Sequence, residues 1–418
     1  MSSVSEIYEH VVGVDTHART HTFTIVHAPT GRPVATATFP ATNPGGSRAL
    51  HWVTRHSPTT ALLVVEGAGS YGAQFTRQAI SLGHAVVEAG VIPRSARRGK
   101  GKTDEFDSLL IARSVIGCET NQLRLPRPGQ GANAGLRVLL VAREQLNTDR
   151  TRAVNALNAM IRITGLGVDA RRALTADQIS QIAAWRVRDE ALHTGLARAE
   201  ATRLARRINE CDQLLQANQD QMRTLVESTR YSVLLGLFGV GPVTAAHIIV
   251  AWGDPGRIRS EASFAALAGV NPIPASSGNT TSHRLNRNGD RQLNKALTTI
   301  VLTRMTHDEQ TRVYTARRLA QGRTVRYIRR ALKRYVARQV YRLMASIDAQ
   351  VEPVTLPGLV HAGNNQPNQR GNQDCQGDAT PGASRVATRS ALDQPGSHAI
   401  LALSPAWTPP PDTTIRRV

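Results

Sequence analysis

From His10 to Val91 the chain alternates in a way few folds accept. "HVVGVDTH" and "THTFTIVHA" are β-rich runs joined by a short turn, and "RPVATATF" follows as a third. "SRALHWVTRH" then has helical spacing. "TALLVVEGAG" is a short unbroken apolar run ending in Glu-Gly, which suits a strand buried on both faces. "GAQFTRQAISLG" is a second helix, "HAVVEAGV" a last strand and "DEFDSLLIARSVIG" a third helix. Three meandering strands, then helix, strand, helix, strand and helix, predict one compact α/β domain.

Four carboxylates fall at telling places in that order. Asp15 sits inside the first apolar strand, where a buried charge is costly unless a cation offsets it. Glu66 ends the central strand, followed by glycines that let a ligand approach. Asp104 and Asp107 are spaced i, i+3, so both project from one helix face. If the first and fourth strands are neighbours, Asp15 and Glu66 lie side by side, and the helix brings the other two across from them. Such a group repels itself without a counter-ion, and hard divalent cations such as magnesium supply one. Two such ions can stabilise the attacking and leaving oxygens of a phosphodiester. Each acid also has a plainer reading: a turn residue for Asp15, a strand terminus for Glu66, a helix cap for Asp104. Taken together, the strand order and the acids resemble those of the ribonuclease H-like nucleases, a likeness that implies Asp, Glu and a helical Asp-x-x-Asp holding two metals.

Beyond residue 126 the pattern is helical to about 230. Ala197, Ala201, Leu204, Ile208, Cys211, Leu215, Asn218, Met222 and Leu225 step by four and three, a coiled-coil seam with a polar residue at Asn218. The seam suits a contact between two copies of the chain, and an internal helical hairpin is the other way to bury it. Residues 231–348 read as a second globular unit ending in the basic helix "RTVRYIRRALKRYVARQVYRLMA". From 349 to 418 the chain turns to Pro, Gly, Asn, Gln and Ser and is expected to be a disordered tail. The expected domains are therefore 1–125, 126–230 and 231–348, with the tail after them.

The charge balance names a class of partner. Lys and Arg number 51 against 31 Asp and Glu, a formal net charge of +20, and only four of the 51 are lysine. Such an excess attracts a polyanion, most often nucleic acid, and arginine suits bidentate phosphate contacts. Cys118, Cys211 and Cys375 are too few and too scattered for a disulfide framework or a zinc site, so a reducing cytoplasm is expected. "MSSVSEIYEH" carries no signal pattern. The most apolar stretch, Ser232–Trp252, is broken by Gly236–Pro242 and is expected to be a helix–turn–helix of a soluble protein rather than a membrane span.

That stretch, "LLGLFGVGPVTAAHII", also resembles a helix–hairpin–helix, whose turn amides can bind phosphates. "NPIPASSGNTTSH" after it is loop chemistry. Ser276 and Ser277 precede Gly278 and are followed by Arg284, Arg287 and Arg291. A serine is a weak nucleophile until activated, and on composition alone this is a polar loop.

Up to about residue 348 the chain resembles the DEDD-type insertion-sequence transposases, recombinases guided by a bridge RNA. The matching pieces are "VVGVDTH", "LLVVEGAGSYG" and "KTDEFDSLLIA", then "LLGLFGVGPVTAAHIIVAWGDPGRIRSEASFAALAGVNP" and "SSGNTTSHRLNRNGDRQLNKAL". The resemblance implies a RuvC-like first domain whose four metal-holding acids are Asp15, Glu66, Asp104 and Asp107. It implies a second domain whose nucleophile is Ser277, with Ser276 beside it, forming a phosphoserine link to DNA with magnesium at the same site. It further implies a noncoding RNA that pairs with donor and target duplexes, a dimer or larger assembly, and a place at the bacterial nucleoid. Where many relatives have lysine or glycine after Ser-Gly, this chain has Asn279. Two rival readings are a junction-resolving RuvC-like endonuclease using metal-activated water, and a nucleic-acid-binding protein without catalysis.

Overall fold

The computed structural model describes residues 2–90, 92, 101, 103–126, 131–253, 255–275 and 283–350. Ser276, Ser277, most of the basic loop before Thr103, and the tail after residue 350 lie outside the described residues.

After a short helix α1 (Val4–Ile7), the first domain is a five-stranded mixed sheet. Its strands are β1 (His10–Thr16), β2 (Thr20–His27), β3 (Arg32–Pro40), β4 (Ala61–Val65) and β5 (Ala85–Glu88), in the order β3-β2-β1-β4-β5. β2 is antiparallel to both β1 and β3, whereas β1, β4 and β5 run parallel. β1 and β4 are therefore neighbours, as the acids require. Helices α2 (Asn43–His56) and α3 (Ala73–Ser81) cover one face, where Val12, Val14, Leu63 and Val65 meet Leu50, Val53 and Phe75. Helix α4 (Asp104–Ile116) covers the other, where Val11, Leu62, Val64 and Val87 meet Ile111, Ala112 and Val115. The period of two that sorts these residues between faces also decides where the acids point.

The helical middle consists of α5 (Gly131–Thr164), α6 (Ala176–Ala183) and α7 (Leu192–Glu227). α5 and α7 pair antiparallel, because contacts run backward along one as they run forward along the other. Gly135 lies against Leu225, Asn218 donates to the Leu139 carbonyl at 3.0 Å, and Arg150 pairs with Asp212. The seam is thus closed within the chain: Ala201, Leu204, Ile208, Cys211, Asn218 and Met222 are buried. This corrects the expected contact between copies; an internal hairpin uses the same stripe. Asn218 still sets register, because its amide also accepts from Arg143 of α5.

The last part packs α8 (Pro242–Trp252), α9 (Glu261–Leu267), α10 (Arg291–His307), α11 (Glu309–Ala320) and α12 (Val325–Asp348), with a two-stranded ribbon of β6 (Pro272–Pro274) and β7 (His283–Leu285). The expected helix–hairpin–helix has only one α arm. Ser232–Gly236 is a 3-10 turn, and Gly239 takes φ +80° against the Ile300 carbonyl of α10. Buried Arg304 donates to the Phe238 carbonyl at 2.9 Å, so the "GVGP" turn is tied into the core. Among the described residues no helix is long and apolar enough to cross a membrane. Cys118 and Cys211 are free thiols.

Candidate active site

The site begins with a glycine. On β1, Val11, Gly13 and Asp15 face α4, and Gly13 lets the helix backbone lie directly on the strand. A Cβ at that position would stand 1.9 Å from the Ser108 carbonyl oxygen and 2.5 Å from the Ala112 nitrogen. The Thr24 and Ser108 hydroxyls hydrogen-bond at 2.6 Å and fix the same approach from β2. One turn earlier, α4 therefore arrives over the carboxyl end of β1.

Thr103, not Asp104, caps that helix: its hydroxyl accepts from the Phe106 amide at 3.2 Å. Asp104, Glu105 and Asp107 are left in the first turn, where the helix dipole favours negative charge. Asp107 is buried to 5 % exposure, as is Asp15, while Asp104 is about half exposed. Glu66 follows the last residue of β4. Its amide donates to the Val14 carbonyl at 3.0 Å, and its carbonyl accepts from the Thr16 hydroxyl at 2.7 Å. Glu66 is exposed and lies in the turn just past β4, one step beyond the Val14–Val65 pair.

A further residue joins them. His17 Nε2 lies 3.2 Å from Asp15 Oδ2 and 3.4 Å from Asp104 Oδ1, bridging strand and helix. One ligand atom from each of Asp15, His17 and Asp104 falls within 4.8 Å of the others. The reading of the acids passed over this histidine, although Asp15-x-His17 is the spacing that puts two side chains on one face of a strand.

Burial pushes the Asp15 carboxyl above the usual carboxylate range; His17 opposes the rise, and Asp104 and Asp107 add to it. Among the described residues neither Asp15 nor Asp104 pairs with an arginine or lysine. A buried carboxylate hemmed in by two others, with only an imidazole beside it, fits a divalent cation. The donor set of hard carboxylate oxygens plus one imidazole suits magnesium or manganese better than a soft metal.

The other expected site, at Ser277, lies outside the described residues; its flanks are described. Asn286 donates to Asn271 Oδ1 at 2.7 Å, bracing the ribbon that carries exposed Arg284. Asp290 caps α10 through the amides of Gln292 and Leu293, placing Arg291 at the first position of the helix.

Two family models match the chain in this order. One, for DEDD-type transposases, matches residues 12–165, and one described as the IS116/IS110/IS902 transposase family matches residues 231–316. Among curated proteins, a Sinorhizobium fredii protein carrying the transposase name y4rJ is 27 % identical over 54 % of this chain and 60 % of its own length. The uncharacterized 43.6 kDa protein of insertion element IS110 from Streptomyces coelicolor is 36 % identical over 26 % of this chain and 27 % of its own length. The uncharacterized 42 kDa protein of insertion element IS900 from Mycobacterium paratuberculosis is 26 % identical over 54 % and 67 %. The matches thus span about three fifths, a quarter and two thirds of those relatives. The sheet order and the gathered acids belong to the part covered by the first model, and the ribbon with its capped helix to the part covered by the second. The chain belongs to the DEDD-type insertion-sequence transposase family.

Proposed function

We propose that this chain is the transposase of an insertion sequence and that it cuts and rejoins DNA under the direction of a noncoding RNA. The observation that carries the reading is the convergence of Asp15, His17 and Asp104 at the carboxyl edge of β1, with buried Asp107 close enough to act on Asp15. In this reading residues 1–125 are a RuvC-like domain, 126–230 a helical spacer and 231–348 the domain that carries the nucleophile.

Asp15, Glu66, Asp104 and Asp107 would hold magnesium, with His17 orienting Asp15 and Asp104. Bound there, magnesium would supply positive charge to the phosphate under attack. Ser277 loses its proton as its Oγ bonds to phosphorus. The bond from phosphorus to one sugar oxygen breaks, and that oxygen takes up a proton. Attack by a sugar hydroxyl of the exchanged strand reverses the step and frees the serine. The net charge of +20 supports binding of both RNA and DNA. Base pairing by the RNA would read sequence while the protein reads backbone. Any second copy of the chain would dock on a surface other than the α7 seam, which α5 already covers.

The test is a covalent trap. The chain is mixed with RNA from the element, labelled donor and target DNA, and magnesium, then run on a denaturing gel beside Ser277→Ala. The expected result is a protein–DNA adduct that the variant lacks. An adduct that survives in the variant excludes Ser277. Cut DNA without any adduct points to water as the nucleophile and to an endonuclease.

A further inference from the structure

From Gln310 to Ile347 the chain has eleven arginines and lysines and no aspartate or glutamate. Some of these cations are spoken for. Arg312 pairs with Glu309, Arg334 and Arg338 share Glu261, and Lys333 donates to Asn294. Arg318 and Arg323 lie over the Tyr327 ring at 6.0 and 5.2 Å, the first also donating to Gln321. Arg326, Arg329 and Arg330 are exposed, and no carboxylate among the described residues pairs with them. They stand in the first two turns of α12, where the helix dipole is positive and no acidic residue offsets it. Three like charges at the wrong end of a dipole disfavour the helix by themselves; an anion laid against them removes the conflict. This corner lies beyond residue 316, past the residues either family model matches.

Resting on the DNA-recombining reading, we propose that the start of α12 is a docking surface for the phosphate backbone of double-stranded DNA, with Arg326, Arg329 and Arg330 as its contacts. The choice of duplex follows from what the surface lacks. Single-stranded nucleic acid is held by open aromatic faces on which bases stack. Here Tyr314 is buried, and Tyr327 already carries two guanidinium groups. What is left is charge on a rigid helix, which grips phosphates without regard to sequence.

The experiment compares the full chain with the triple variant Arg326→Gln, Arg329→Gln, Arg330→Gln. Fluorescence anisotropy follows binding to a labelled random-sequence DNA duplex and to a single-stranded RNA of equal length, across a salt series. For duplex DNA, the slope of log affinity against log salt should fall by about 2.7, roughly 0.9 for each lost phosphate contact. RNA affinity and melting temperature should stay unchanged, and the matching arginine-to-lysine triple variant should keep the wild-type slope. An unchanged slope in the glutamine variant overturns the α12 surface alone. A loss confined to RNA, or equal in both probes, overturns the assignment to duplex DNA. Wild-type chain that binds neither probe overturns the nucleic-acid reading itself.

Discussion

A carboxylate buried at the end of β1 works against the fold until a cation reaches it, and this makes Asp15 the most informative single residue. Its folded pKa lies above the unfolded value. The folded state therefore binds the extra proton, and stability falls as pH rises through that window. At pH 7 the charged group is a burden, so Asp15→Asn should raise the melting temperature of the metal-free protein in EDTA. Differential scanning fluorimetry checks this, and a lower melting temperature would contradict it. The same variant should lose manganese binding by calorimetry, and wild-type affinity should weaken toward acid pH as protons compete for the site. Asp15 could be found in the sequence because a charge inside an apolar strand is conspicuous. Asp104 and Asp107 stood out because they share a helix face; Glu66 stood out because glycines follow it, but the ligand atoms that gather come from Asp15, His17 and Asp104. His17 was passed over because histidine is common at strand ends and only the folded turn shows it touching two acids. Asp104 is not a cap, and that too needed the backbone: Thr103 holds the cap position one residue earlier.

At the scale of elements, the position of α4 decides whether the acids meet. Gly13→Ala should destabilise the protein by about 3 kcal/mol in urea titrations, since the clash is with helix backbone rather than with a movable side chain. A variant of wild-type stability would show that α4 does not rest on β1 there. The C-terminal part has its own clasp. Asp348 accepts from the Tyr231 hydroxyl at 2.6 Å and from the Trp252 indole at 2.8 Å, joining α12 to the start of the unit and to α8. Burial, reinforced by Asp348, pushes the Tyr231 phenol well above its ordinary value. Asp348→Ala leaves both donors unpaired and should cost roughly 2–4 kcal/mol in the same assay; an unmoved midpoint would contradict the clasp. The strands were legible: all five of the first sheet lie on the β-rich and apolar runs of the sequence. The α7 stripe was legible as a seam but not as to its partner, because a heptad pattern is the same for a second chain and for a returning helix. The "GVGP" arm was misjudged because Leu234 and its neighbours fit either a 3-10 turn or an α-helix over so few residues.

At the scale of the whole molecule, charge is divided by purpose. Carboxylates gather at one edge of the first sheet, while α11 and α12 together carry ten arginines and lysines against two carboxylates. A polyanion drawn to the basic surfaces would be repelled by the acids unless divalent cations stood between them. The central claim is that the acids hold the metal that strand cleavage needs. Its direct test is cleavage of labelled donor DNA, with the RNA present, as magnesium is titrated into wild-type chain and into Asp104→Asn, whose half-exposed position spares the fold. Wild-type cleavage should rise with magnesium and stop in EDTA, and the variant should be slower by at least about a hundred-fold. Undiminished cleavage in EDTA, or by the variant, would contradict the account.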